Sequence, residues 1–225
     1  AVAGSDFNTS QTPTISTDGR YVAFPSAKFT LVANDTNGAL DAFVWDRGRN
    51  GLITRVSVNS SGDEANGETN YVDISGDGSY AVFVSAATNL VPNDLNGKRD
   101  VFLKNMMSGM VTLISVDSTG AQGNGDSWEP SVSDDGRYVA FISTATNLVA
   151  NDANAGIADI FIRDTANNTT MLISVDDAGV QANDRSNNPQ ISGDGRYVVF
   201  DSDATNLVPG GTNGSEHVFV RGPLF

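Results

Sequence analysis

Cysteine is absent from the 225 residues, which excludes disulfides, thiolate nucleophiles and cysteine-ligated metal centres. Histidine occurs once, as His217, so a cluster of imidazoles around a transition metal cannot form. Positive charge is scarce: 13 Lys and Arg stand against 27 Asp and Glu, for a net charge of −14. Binding to nucleic acid or to an anionic membrane surface depends on Lys and Arg, so neither partner is expected. No apolar run approaches the roughly 20 residues of a membrane span, and no membrane insertion is expected. The opening residues, AVAGSDFNTS, have neither the basic start nor the apolar core of a signal peptide. A sustained helical period is also missing.

What the chain does have is repetition. Four segments share one opening: ISTDGRYVAFPS from Ile15, ISGDGSYAVFVS from Ile74, VSDDGRYVAFIS from Val132 and ISGDGRYVVFDS from Ile191. Their turn aspartates, Asp18, Asp77, Asp135 and Asp194, recur at intervals of 59, 58 and 59 residues. Further landmarks follow in the same order. ATNLV begins at Ala87, Ala145 and Ala204, with a degraded KFTLV at Lys28; VSV or ISV ends at Val58, Val116 and Val175.

Each unit reads as four short strands, here a to d. Strands a and b flank an Asp-Gly pair, a hairpin signal because Gly tolerates positive φ and Asp caps the turn. Strand b (RYVAF and its equivalents) is β-branched and aromatic, with apolar residues on both faces: Val22 and Phe24 on one, Tyr21 and Ala23 on the other. A strand buried on both faces belongs to a sheet stacked between two others. Strand c is DAFVW, DVFLK, DIFIR or HVFVR; strand d is ITRVSV, VTLISV or TMLISV. Four-stranded antiparallel units at a constant period, each covered by its neighbours, describe the blades of a β-propeller. The expected fold is an all-β propeller in one domain, residues 1–225. Its repeats lie at about 12–70, 71–128, 129–187 and 188–225, the last without its outer strand.

The Ser-x-Asp-Gly-Arg-x-Val-x-Phe-x-Ser segments, Ser16–Ser26 and Ser192–Ser202, resemble the repeat of the TolB-type, WD-like β-propeller family. The resemblance spans about residues 12–221. It implies the fold and little about activity, because such propellers serve as scaffolds, binding modules and domains of enzymes. It also implies a bacterial-type protein that is secreted, at the cell surface or periplasmic. One departure is length. Four strands with tight turns need only about 40–45 residues, and the surplus falls between strands b and c.

Antiparallel order places the b–c and d–a connections together at one end of each blade. Loops on a rigid scaffold are where function concentrates. The b–c connections repeat an Asp-x-Asn loop: Asp35, Asn37 and Asp41; Asp94, Asn96 and Asp100; and, one residue longer, Asp152, Asn154 and Asp159. Oxygens at alternating positions, around Gly38 and Gly97 in the first two copies, suit a hard cation such as Ca²⁺, which takes six to eight such ligands. Asp63, Glu64, Glu68, Asp126 or Glu129 of the d–a connections are candidate additional ligands. The alternative is an Asx turn whose last Asp caps strand c. Unit four has Gly211 and His217 in place of both aspartates, so no site is expected there.

No catalytic residue stands out. His217 reads as a surface side chain, and no G-x-S-x-G elbow or Gly-rich phosphate loop occurs. Related propeller-shaped polysaccharide lyases use histidine-rich metal sites that this chain lacks. Trp45 reads as blade packing, and Trp128, read as part of a d–a loop, as a platform for a sugar or a partner. The expected function is a non-enzymatic, extracytoplasmic interaction or scaffold module with calcium as a stabilising ion. Its partners are a protein or a neighbouring subunit, with a carbohydrate as a further candidate. The alternative is the propeller domain of a carbohydrate-active hydrolase or lyase. The 15 expected strands leave an open edge on the last strand c. A four-bladed ring with that edge covered from outside is expected, with Ala1-Val2 at most the frayed end of an outer strand.

Overall fold

The computed structural model describes residues 13–150, 152–154 and 156–225; the expectation for Ala1-Val2 lies outside them. Fifteen strands form four antiparallel sheets. Blade 1 holds β1 (Thr14–Ile15), β2 (Tyr21–Ser26), β3 (Asp41–Asp46) and β4 (Leu52–Arg55). Blade 2 holds β5 (Thr69–Ile74), β6 (Tyr80–Ser85), β7 (Asp100–Asn105) and β8 (Val111–Leu113). Blade 3 holds β9 (Ser127–Val132), β10 (Tyr138–Ser143), β11 (Asp159–Asp164) and β12 (Thr169–Leu172). Blade 4 has only β13 (Ser186–Ile191), β14 (Val198–Ser202) and β15 (His217–Arg221). In every sheet the strands pair in chain order, so each blade is a meander.

The a–b hairpin forms the same way four times. In blade 1 the Ser16 hydroxyl donates to Asp18 Oδ1 at 2.7 Å, the Arg20 amide donates to the same oxygen at 2.9 Å, and the Tyr21 amide donates to Ser16 Oγ at 2.9 Å. The serine and aspartate at Ser75–Asp77, Ser133–Asp135 and Ser192–Asp194 repeat the contact. These aspartates are turn formers, as their Asp-Gly context predicts.

Inside each blade one phenylalanine of strand b stacks on one of strand c. The ring centroids lie 5.9, 5.8, 5.9 and 5.8 Å apart for Phe24–Phe43, Phe83–Phe102, Phe141–Phe161 and Phe200–Phe219. Each pair contributes roughly 0.5–1.5 kcal/mol beyond its burial. Three apolar clusters fill the space between blades, which is why β6 and β10 are buried on both faces.

Consecutive blades are also joined by one repeated contact. The strand-b tyrosine of each blade lies over the hairpin glycine of the next: Tyr21 over Gly78, Tyr80 over Gly136 and Tyr138 over Gly195, too close for a Cβ. The fourth junction is not made. Tyr197 is 39% exposed, Gly19 meets nothing, and among the described residues blade 4 does not pack on blade 1 as the other blades pack on each other. Among the described residues the blade 4–blade 1 junction of the expected four-bladed ring is therefore not seen. Tyr197 lies instead against Gly222 of its own blade, where the Leu224 amide donates to the Arg196 carbonyl at 2.9 Å.

Candidate functional site

The Asp-x-Asn loops fold onto the d–a connections, as the antiparallel order requires. The last aspartate of each loop, the first residue of strand c, is fully buried and accepts from a serine two residues beyond the end of strand d. Ser57 donates to Asp41 at 2.5 Å, Ser115 to Asp100 at 2.5 Å and Ser174 to Asp159 at 2.7 Å. The same serines accept the amide of the next strand-c residue: Ala42, Val101 and Ile160. Strand d is thereby latched onto strand c. Blade 4, for which no strand d is found among the described residues, carries His217 at the latch position, and that side chain is exposed with Nε2 2.9 Å from Asn213 Oδ1.

The asparagines serve the turn. Asn37 Oδ1 accepts from the Ala39 amide, while Nδ2 donates to Asp41 and to the Ala65 carbonyl, both at 3.1 Å. Asn96 does the same with Lys98, Asp100 and the Gly123 carbonyl. Asn154 donates to the Ala182 carbonyl, and its Oδ1 is buried without a partner. The amide oxygens of Asn37 and Asn96 are therefore engaged by the backbone.

The three loops differ in what faces the aspartates. In the second, Gln122 Nε2 bridges Asp94 Oδ1 at 2.7 Å and Asp100 Oδ2 at 3.1 Å. In the third, Gln181 Nε2 bridges Asp152 at 2.9 Å and Asp159 at 2.8 Å. An amide N–H between two carboxylates supplies the positive partner that a cation would otherwise be. In the first loop the equivalent residue is Glu64, and it joins Asp35 and Asp41 with carboxylate oxygens within 4.8 Å of one another. That triad could hold a metal ion. Arg55, where the sister repeats have Leu113 and Leu172, also reaches it: Nη1 lies 3.7 Å from Asp35 and 3.6 Å from Asp41 and is bonded to Glu64. Asp35 Oδ1 is buried with no hydrogen-bond partner.

Electrostatics follow the partners. Burial raises the pKa of Asp35, and the Asp41 charge adds to it. Burial raises Asp41 and Asp159 against their serine bonds, and pushes Asp100 up to about 6. Burial also opposes the Glu64 charge, but Thr36 and Arg55 outweigh it and hold that carboxyl below its ordinary value. Asp63 and Glu68, the other candidate ligands of this region, stay outside the triad: Asp63 pairs with Asn59 and Glu68 with Arg99.

A second feature lies at the hub. Strand a of blades 2, 3 and 4 carries a bulge, and at each bulge a non-glycine residue has positive φ: Tyr71 (45°), Glu129 (48°) and Asn188 (51°). These side chains and backbones meet across blades. Burial and then the Glu129 charge raise the Tyr71 pKa, and the Asn188 amide donates to Glu129 Oε2 at 3.3 Å. Beside them is a cavity of about 320 Å³ lined by Asn70, Tyr71, Arg99, Asp126 and Trp128. Trp128 and Glu129, expected in a d–a loop, belong to β9, because the bulge lets the strand begin earlier than an alternation pattern shows.

Trp45 packs within its blade, and its position repeats. In the ladders Trp45, Lys104 and Arg163 pair with Ile53, Val111 and Thr170. Lys104 Nζ donates to the Val58 carbonyl of blade 1 at 3.1 Å, and Arg163 Nη1 to the Asp117 carbonyl of blade 2 at 2.9 Å. Arg221 donates to Asp177 Oδ1 of blade 3 at 2.9 Å. Strand c of blades 2, 3 and 4 thus reaches back to the preceding blade. Trp45 Nε1 is buried and has no partner.

Comparison with solved structures places the fold among β-propellers. TolB from Acinetobacter baumannii matches with a TM-score of 0.55 and 16% identity, over 95% of this chain and 41% of that one. A putative TolB from Agrobacterium tumefaciens matches with 0.56 and 16%, over 95% and 58%. An oligogalacturonate lyase in complex with manganese matches with 0.53 and 12%, over 93% and 50%. The chain therefore corresponds to between two fifths and three fifths of these propeller proteins. No family model matches the sequence, and no curated protein matches it. Among the described residues no helix is long and apolar enough to cross a membrane.

Proposed function

We propose that the chain is a non-enzymatic, extracytoplasmic propeller module that works by docking further β-structure, and that its four blades are part of a larger propeller. The observation that carries this is the orphaned indole N–H of Trp45. Three successive blades each donate from this register position to the blade before them. Blade 1 has the donor, and among the described residues no blade lies on that side of it. A buried donor without an acceptor costs about 1–3 kcal/mol; Nε1 lies over Gly51 of its own β3–β4 turn, and an acceptor like those that Val58 and Asp117 offer to the sister positions would relieve that cost. The surrounding surface agrees: Ile15 is 63% exposed, and Val22 and Phe24 are only half-buried where β10 is buried throughout. At the other end β15 presents an unpaired edge with Val218 and Val220 at 75% and 68% exposure, a template for strand pairing.

The scaffold reading is also supported by what the loops do. In the second and third loops the glutamines bridge the aspartates in the same way, and the asparagines close the turns, as structural residues would. Calcium is proposed at the first loop alone, held by Asp35, Asp41 and Glu64, with its charge opposing their mutual repulsion in place of Arg55.

The docking face is tested with a variant carrying a second copy of residues 71–128 immediately ahead of Thr12, which offers blade 1 a preceding blade. Satisfying Trp45 and covering Ile15 is worth about 3 kcal/mol, or a rise of roughly 6–12 °C in the unfolding midpoint at about 2–4 °C per kcal/mol. Trp45→Phe should remove part of that rise. Two separate transitions, with the original midpoint unchanged, would refute the proposal.

A further inference from the structure

The hub cleft is distinct from the blade-docking faces, and nothing in the scaffold reading uses it. Its wall is unlike the rest of the hub. Trp128 supplies an aromatic surface at a position held by Asn70 in blade 2 and Asn187 in blade 4. Trp128 itself is half-buried, packed against the apolar clusters on both sides of β9. Asn70 Oδ1 is buried and accepts from nothing, an acceptor awaiting a donor. Asp126 accepts from the Arg99 amide at 2.9 Å, and the exposed Arg99 guanidinium lies 3.7 Å from Glu68. The left-handed residues at Tyr71 and Glu129 hold the rim in a backbone conformation that persists only when its surroundings enforce it. The volume, about 320 Å³, is at the small end of ligand sites, which run from about 300 to 1,000 Å³.

We propose that this cleft binds a neutral pyranose unit of an oligosaccharide. An aromatic face flanked by an amide, a carboxylate and a guanidinium matches a ring that is apolar on its C–H face and hydroxylated at its edge. A sugar hydroxyl is the donor that Asn70 Oδ1 lacks, and another can share Asp126 or Arg99. Charge selects against acidic sugars: Arg99 lies beside Glu68 and its amide is bonded to Asp126, so a uronate would meet two carboxylates for one guanidinium.

Trp45→Phe leaves Trp128 as the only tryptophan and makes its fluorescence a local reporter. This variant is titrated with cellotriose, xylotriose, maltotriose, N-acetylchitotriose and trigalacturonate, with calorimetry on the unaltered chain alongside. The expected result is saturable binding of at least one neutral trisaccharide with a Kd on the order of 1 mM. Asn70→Ala should weaken it about tenfold, with trigalacturonate failing to bind. If the Asn70 variant does not fold, Arg99→Ala, altered at an exposed side chain, serves for the same comparison. No saturable change with any neutral trisaccharide would overturn the proposal. So would preference for trigalacturonate, binding indifferent to both substitutions, or a proline-rich peptide saturating the same Trp128 signal while the sugars do not.

Discussion

Removing one latch serine is the sharpest test of how these blades hold together. In blade 2, Ser115 Oγ donates to the buried Asp100 and accepts from the Val101 amide. Burial lifts the Asp100 pKa from 3.8 to about 6. The shift is about 2 units at roughly 1.4 kcal/mol each, so keeping this carboxylate charged costs the fold on the order of 3 kcal/mol. The sign follows from the raised value. The penalty is absent below about 3.8, where the carboxyl is protonated in both states, and complete above about 6, where it is ionised in both. This group therefore lowers stability as pH rises through that window. Ser115, with Asn96 and Gln122, limits the damage by donating to the charged form. A hydrogen bond to a charged group is worth about 1.5–3 kcal/mol and one to a neutral group about 0.5–1.5. Ser115→Ala should therefore destabilise by about 2–3 kcal/mol at pH 7.5, lowering the unfolding midpoint by roughly 4–12 °C. At pH 5, where folded Asp100 is protonated, the gap should narrow by about 1 kcal/mol or more. Urea denaturation of both proteins at the two pH values measures it. A loss under about 0.5 kcal/mol at pH 7.5, or the same loss at both pH values, would refute the latch.

Two further outcomes are expected. Asp18→Asn should change stability by less than about 0.5 kcal/mol, because Asn forms the same turn; a larger loss on thermal unfolding would mean that Asp18 does more than close the hairpin. If calcium binds Asp35, Asp41 and Glu64, millimolar Ca²⁺ should raise the melting temperature relative to chelator. Arg55→Leu, which makes blade 1 like its sisters at that position, should enlarge the rise by removing the competing guanidinium, and identical curves in both proteins would leave the loop a plain turn.

The internal period and the Asp-Gly turns are legible because both are local: a hairpin needs only a few adjacent residues, and strand alternation shows which side chains share a face. Antiparallel order then puts the long loops at one end, so the meeting of Asn37 with the Ala65 carbonyl was foreseeable in outline. The roles of the loop residues were not. Asp100 and Ser115, or Asp94 and Gln122, lie far apart along the chain, and only the folded blade decides that a serine latches one oxygen and a glutamine amide bridges others. The difference between Glu64 and Gln122 was visible as letters; its meaning needed Arg55 in the same space. The place of Trp128 in β9 is hidden in the sequence because a bulge breaks the two-residue period that marks a strand. The open junction is the deepest such case. Tyr197 and Gly19 repeat the pattern of three junctions that do form, so the sequence alone predicts a fourth. Whether it forms depends on the angle between successive blades, which is set by the summed packing of their cores and is written in no single repeat.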